Sequence, residues 1–272
     1  MRSPLCLRPD MASPLLFPVA LLQGLWVRAT TPRLPVARGR RGRFGTGPRP
    51  IRVVGVGDSI IAGVGVETQQ LALVGHFARR LHEIEGRPTV WRLHGFNGAT
   101  SAGIRERIAR HVADADVYLV SVGVNDAVRG IDPAAFATNL RDLVKTLRGR
   151  SPHATVIFAG IPPLESFPSL PWPLGALLGE RGLRLQAAAR ALSESNDFVC
   201  FSFPPRLAGD TFSRDGFQPA AAACDRWAEW LLDAWLSSRP PVAPGGTAAP
   251  RPATPPRPRR DPPQGSSPTR VP

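Results

Sequence analysis

Lysine occurs once in the 272 residues, as Lys145, and this scarcity excludes one reading of the glycine-rich stretch VVGVGDSIIAGVGV at 53–66. A phosphate-cradling P-loop needs a lysine directly after its second glycine, and Lys145 falls far away in a helical pattern. A dinucleotide fingerprint also fails. Gly55 and Gly57 supply its opening pair, but Ile60 takes the third position, and no acid follows the second predicted strand, which ends in His94 and Gly95. Cysteine is scarce too: Cys6, Cys200 and Cys224 lie far apart, with no C-x-x-C pair and no histidine at ligand spacing. Neither a disulfide framework nor a zinc site is indicated, and no metal or other cofactor is expected. Histidine is missing after His153, so His76, His82, His94, His111 and His153 are the whole set.

Acidic residues are nearly absent from both ends. Residues 1–50 carry nine Arg against one Asp and residues 239–272 carry six Arg against one Asp, whereas 51–238 balance 19 basic against 19 acidic side chains. The net charge of +13 therefore belongs to the flanks. The neutral middle offers no basic face with interleaved readers, so no nucleic-acid partner is expected. The apolar stretch ASPLLFPVALLQGLWV, 12–27, is shorter than the roughly 20 residues a bilayer requires and is interrupted by Pro14, Pro18 and Gln23. The residues after it are strongly basic, with no convincing small-residue cleavage site. A cytoplasmic location is the expectation, with membrane association or export as alternatives. The open readings of this arm are a domain-capping segment, a poorly ordered arm, or weak contact with an anionic membrane surface. Residues 239–272 hold 12 prolines in 34 positions and no aromatic residue, which predicts a disordered tail of polyproline II character.

Between these flanks, at 51–238, short apolar runs alternate with helical patterns, and this predicts an α/β domain with a mostly parallel sheet. Five strands are expected: IRVVGV (51–56), TVWRL (89–93), DVYLVSV (116–122), ATVIFAG (154–160) and FVCFS (198–202). Val74, Phe77, Leu81 and Ile84 form one helical stripe that should pack on the sheet. Trp227, Trp230, Leu231, Ala234 and Trp235 form another in the last helix, better explained by core packing than by an aromatic binding site. Reactive positions in such a sheet lie at the carboxyl ends of the strands, near the reversal of strand order. GDS follows the first strand, GFNGAT the second and GVND the third.

Acyl transfer needs a serine exposed at a turn and donors aimed at a developing oxyanion. Ser59 is such a serine, Gly98 can present a backbone N–H, and Asn125 can offer an amide. Each has an ordinary alternative, Gly98 as a turn glycine and Asn125 or Asp126 as a cap of the following turn.

With those blocks in order, residues 51–238 resemble the SGNH, or GDSL-type, serine hydrolases: GDSI at 57–60, Gly98 within GFNGATSAG, and GVND at 123–126. The resemblance implies a flavodoxin-like five-stranded sheet flanked by helices, an esterase or lipase-type activity on a small ester, and Ser59 as nucleophile. It also implies an oxyanion hole made by the Ser59 and Gly98 amides and the Asn125 side chain. The segment at 162–179 resembles a loop of one bacterial branch of the family, and framing of the acyl pocket is the expectation for it. The family's last block pairs an Asp with a catalytic His three positions on, usually followed by Pro. Here the text is SRDGFQPAAAA, so Asp215 and Pro219 match and Gln218 stands at the histidine position.

Glutamine cannot replace the proton transfer of an imidazole, whose pKa lies near neutrality. Its amide can hydrogen-bond Ser59 and leave the geometry intact. Of the histidines only His94, at the end of the second predicted strand, is on the reactive side, and packing is its better explanation. Asp210, a nearby acid, is read as a loop residue, since an ordinary carboxylate near pKa 4 is a poor base for serine. Two functions are consistent with these residues: an ester hydrolase with reduced activity, or a pseudoenzyme that binds acyl, ester or acylated-carbohydrate ligands.

Overall fold

Runs of β-branched and apolar residues account for the sheet in the computed structural model, which describes residues 16–108, 111–196, 198–203 and 211–238. The strands among them are β1 (Arg41–Phe44), β2 (Ile51–Gly57), β3 (Thr89–Gly95), β4 (Val117–Ser121), β5 (Thr155–Phe158) and β6 (Val199–Cys200). The order is β1-β3-β2-β4-β5-β6, with β1 antiparallel to β3 and every other pair parallel. The five parallel strands thus adopt the flavodoxin-like order, and the switch point lies between β2 and β4. The expected five-strand count is corrected to six. The extra strand is RGRF from the basic arm, four residues with no apolar run, held on the sheet edge by pairing with β3.

Helices cover both faces: α1 (Leu16–Thr30), α2 (Ser59–Ala62), α3 (Leu73–Glu85), α4 (Ser101–Ile108), α5 (Val124–Arg129), α6 (Pro133–Arg150), α7 (Leu174–Asn196) and α8 (Ala221–Ser238). The central strand β2 is buried along nearly its whole length, as a parallel strand covered on both sides must be. Val54 and Val56 enter the core beneath α4, α6 and α7 with Ile104, Leu140 and Leu185, while Ile51 and Val53 enter the opposite core with Phe77, Leu81 and Leu231 from α3 and α8. The α3 stripe buries Val74, Phe77 and Leu81 but not Ile84, which is exposed in the last turn as the helix leaves the sheet. On α8, Asp225 accepts from Arg79 Nη2 and from Arg80 Nε at 2.9 Å and meets His76 Nδ1 at 3.0 Å, fastening α8 to α3. The Arg80 hydrogen bond holds the Asp225 carboxyl below its ordinary range.

Close packing at the end of β2 depends on glycine. A Cβ on Gly57 would lie 2.2 Å from the Ser121 carbonyl oxygen, a backbone atom of β4 that has nowhere to move. Gly57→Ala is therefore expected to destabilise the protein by about 3 kcal/mol, the upper end for overpacking. Urea unfolding measures this, and a variant as stable as the parent would contradict the close approach.

The basic arm contributes more than β1. Ala37 N donates to Gly63 O at 3.1 Å, Arg38 N to Glu67 O at 3.0 Å and Gly65 N to Pro35 O at 3.2 Å, so residues 35–38 are laced to the loop after α2. Cys224 is buried and Cys200 half-buried, both as free thiols, and burial pushes Cys224 up to about 12. Cys6, Asp210 and the 239–272 tail lie outside the described residues. Among the described residues no helix is long and apolar enough to cross a membrane.

Candidate active site

Ser59 is the first residue of α2, immediately past β2. Asp58 caps the helix by accepting from Ile60 N at 3.2 Å, and Gly63 closes it in the left-handed region at φ 67°. This sharp strand-to-helix turn sets Ser59 at the switch point. Asp58 itself is buried, with Ser121 Oγ and Asn125 Nδ2 each 3.5 Å from its carboxylate. Burial pushes its pKa up to about 7, since the charged form loses its water there.

The glycine turn after β3 is tied to the same strand end. Phe96 N donates to Gly57 O at 2.9 Å, and Gly98 stands at φ 74°, a conformation open to glycine. Arg129 from α5 donates to Gly98 O at 3.2 Å, and the Gly98 N–H has no acceptor among the described residues. Asn125, in the first turn of α5, directs its amide at Asp58.

Asp126 corrects a local expectation. Rather than capping its own turn it reaches α4, accepting from Ser101 N at 3.0 and 3.1 Å and from Ser101 Oγ at 2.6 Å, with Asn139 Nδ2 donating to the same hydroxyl at 3.2 Å. Burial raises its pKa, the hydrogen bonds from Ser101 acting against the shift. This buried network locks the Gly98 turn to the Asn125 helix.

The segment 211–220 folds back on itself through a Phe212–Pro219 bridge and a 2.7 Å bond from Ser213 N to Gln218 O. At its tip Asp215 Oδ1 accepts from Phe217 N at 3.0 Å and from Gln218 N at 2.9 Å, so the carboxylate holds the backbone of position 218 rather than its side chain. Ser169 Oγ donates to Asp215 O from the loop before α7. Gln218 Nε2 then donates to Ser59 Oγ at 3.3 Å, bringing together residues 159 positions apart. Its Oε1 is buried with no partner among the described residues. Rotating the amide would exchange the two ends and leave the nitrogen orphaned instead.

Among the described residues no histidine lines the pocket beside Ser59. His76 meets Asp225, His82 Nδ1 lies 2.7 Å from Arg87 O, and His94 stands opposite Val56 in the β2–β3 register. Burial, then the neighbouring Arg40 and Arg92, push His94 below its ordinary pKa. Beside Ser59 and Gln218 runs a pocket whose walls include Phe167, Phe203, Phe212, Phe217, Trp227 and Trp230. Trp227 and Trp230 are thus corrected from pure core residues to pocket walls, although Trp227 also donates to Ala159 O at 3.0 Å and packs on Phe203 with centroids 4.7 Å apart. Helical spacing alone cannot tell a buried wall from a buried core. Pro162 and Phe167 bring the 162–179 loop into this lining.

Comparison with known proteins agrees with this architecture. The family model of GDSL-like lipases and acylhydrolases matches residues 56–237. The GDSL-like esterase Rv1075c of Mycobacterium tuberculosis is 31% identical over 201 residues, covering 70% of this chain and 62% of the relative, so the chain spans less than two thirds of that protein. Esterase TesA of Pseudomonas aeruginosa is 31% identical over 189 residues, covering 68% of this chain and 86% of the relative. Among solved structures, a lipase/acylhydrolase from Enterococcus faecalis superposes with a TM-score of 0.53 at 20% identity, covering 71% of this chain and all (100%) of the other. The crystal structure of TesA superposes with a TM-score of 0.51 at 24% identity, covering 67% and 97%. These two likenesses speak for the fold. With the matched region running from the end of β2 into α8, the chain belongs to the family of GDSL-like lipases and acylhydrolases.

Proposed function

We propose that the chain binds carboxylic esters carrying an apolar group and hydrolyses them slowly, with Ser59 as the nucleophile. The observation that carries this reading is the 3.3 Å contact of Gln218 Nε2 with Ser59 Oγ against an aromatic-walled pocket. The pocket's composition suits an acyl chain or an apolar alcohol. Ser59 Oγ attacks the ester carbonyl, the oxyanion draws on the Ser59 and Gly98 N–H groups and the Asn125 amide, and its collapse breaks the ester C–O bond, releasing the alcohol and leaving acyl-Ser59 that water hydrolyses to the acid. Asp215 acts through the backbone of residue 218, keeping that side chain against the serine.

Proton handling sets the rate. An amide accepts a hydrogen bond but takes no proton near neutral pH, so the serine proton must leave to water or hydroxide. Hydrolysis should therefore climb steadily with pH, without the inflection near 6.5 that a histidine base imposes. Gln218 also favours a second reading, ligand binding without turnover.

Turnover of p-nitrophenyl butyrate by the parent and by Ser59→Ala separates the two. The proposal expects Ser59→Ala to fall well below the parent, to what binding and the remaining oxyanion donors supply alone. Equal rates in both proteins, with a thermal midpoint raised by a non-hydrolysable ester analogue, would favour the binder. Where measured in a serine protease, losing either the serine or the histidine alone costs on the order of 10⁶ in kcat, so equal rates would mean the serine route is closed.

A further inference from the structure

The first helix is turned inside out. In a surface helix the large apolar residues normally face the core and the polar ones face water. In α1 the residues on the inward face are Ala20, Gln23 and Val27, at helical spacing, and the Gln23 amide serves as a clamp: its Nε2 donates to Trp172 O at 2.8 Å and its Oε1 accepts from Leu174 N at 3.1 Å. Outward stand Phe17, Leu21, Leu22, Leu25 and Trp26, 56–67% exposed, and Trp172 at the clamped loop is 60% exposed. Isolated exposed apolar side chains need no explanation, but five on one short helix mark a contact surface.

We infer that the outer face of α1 is a docking surface for a membrane bearing anionic headgroups. Charge selects this occupant. Residues 16–50 hold seven arginines and not one Asp or Glu, and Arg28, Arg33, Arg40 and Arg41 are exposed. An anionic lipid surface complements that charge, while Trp26 and Trp172 are of the type that settles at a headgroup boundary. A second copy of this chain would bring the same arginines against themselves. The 239–272 tail, with six Arg and one Asp, carries charge of the same sign. The fifteen described residues of α1 make too short a helix to span a bilayer, which fits a helix lying in the interface with its axis along the surface.

The clamp gives this contact a route to the pocket. Trp172 and Leu174 close the loop whose Phe167 lines the pocket and whose Ser169 holds the Asp215 carbonyl. Lipid contact at α1 therefore bears on the loop that shapes the site.

Sedimentation of the full chain with phosphatidylcholine vesicles containing phosphatidylglycerol tests the inference, and it reads binding independently of any turnover. The chain should pellet with these vesicles, weaken with salt, and bind pure phosphatidylcholine less. Leu22→Glu/Trp26→Glu and, separately, Arg28→Glu/Arg33→Glu should each weaken binding by at least about tenfold. All four side chains are exposed, so an unchanged circular dichroism spectrum and melting midpoint establish that the variants fold. The inference is overturned by a chain that stays in the supernatant, by vesicle binding equal in parent and Leu22→Glu/Trp26→Glu, or by a dimer that this variant dissolves while the parent ignores vesicles.

Discussion

Gln218→His should raise ester hydrolysis by at least about 10³-fold, because an imidazole at that position supplies the acceptor whose loss costs on the order of 10⁶ where it has been measured. The site is arranged to receive it. Gln218 already reaches the Ser59 hydroxyl, and Asp215 fixes the backbone of residue 218 with one carboxylate oxygen. The other oxygen is left to accept from the ring N–H, an arrangement that orients the imidazole and favours its charged form. The gain should appear in kcat with KM little changed, since the aromatic walls of the pocket are untouched. It should also introduce an inflection at or somewhat above pH 6.5, since Asp215 favours the charged ring, with the rate falling below it as the imidazole protonates. A folded variant with the parent's rate and the parent's pH profile would mean that residue 218 does not govern proton transfer.

Asp58→Asn should make the protein more stable at alkaline pH and flatten its pH dependence. The folded-state pKa of Asp58 is raised from an ordinary 3.8 to about 7. Between those values the folded chain holds a proton that the unfolded chain releases, so stability falls as pH rises through that window. At 1.36 kcal/mol per pKa unit the loss reaches up to about 4 kcal/mol by pH 8. Asparagine keeps an oxygen for the Ile60 N–H and carries no charge to bury. Asp225 works in the opposite sense. Its depressed pKa adds stability above the ordinary carboxylate range and withdraws it as pH falls. The readout is accordingly the difference between parent and variant in urea unfolding, which should widen from pH 4 to pH 8. A difference constant across that range would show that Asp58 is not held neutral.

The five parallel strands were legible because short apolar runs alternate with helical patterns, although the last, expected over 198–202, is a strand only at Val199–Cys200. The edge strand was not: RGRF has no run of its own and exists through its pairing with β3. The same limit explains Asp126, whose partner Ser101 belongs to another element 25 residues away, and Trp230, whose spacing suits a core equally well. Contact between Ser59 and Gln218 was reachable only through the order of the family's blocks, since nothing local links residues 159 apart. The orphaned Gln218 oxygen and the inverted burial of α1 had no sequence signal, because both depend on which way a side chain faces.

The most direct test is the rate at which a fluorophosphonate ester labels the protein, followed by intact mass and peptide mapping. The account predicts slow labelling of the parent and labelling of Gln218→His faster by orders of magnitude, with one adduct per chain, on Ser59. Equal rates in the two proteins, or an adduct on any other residue, would contradict it.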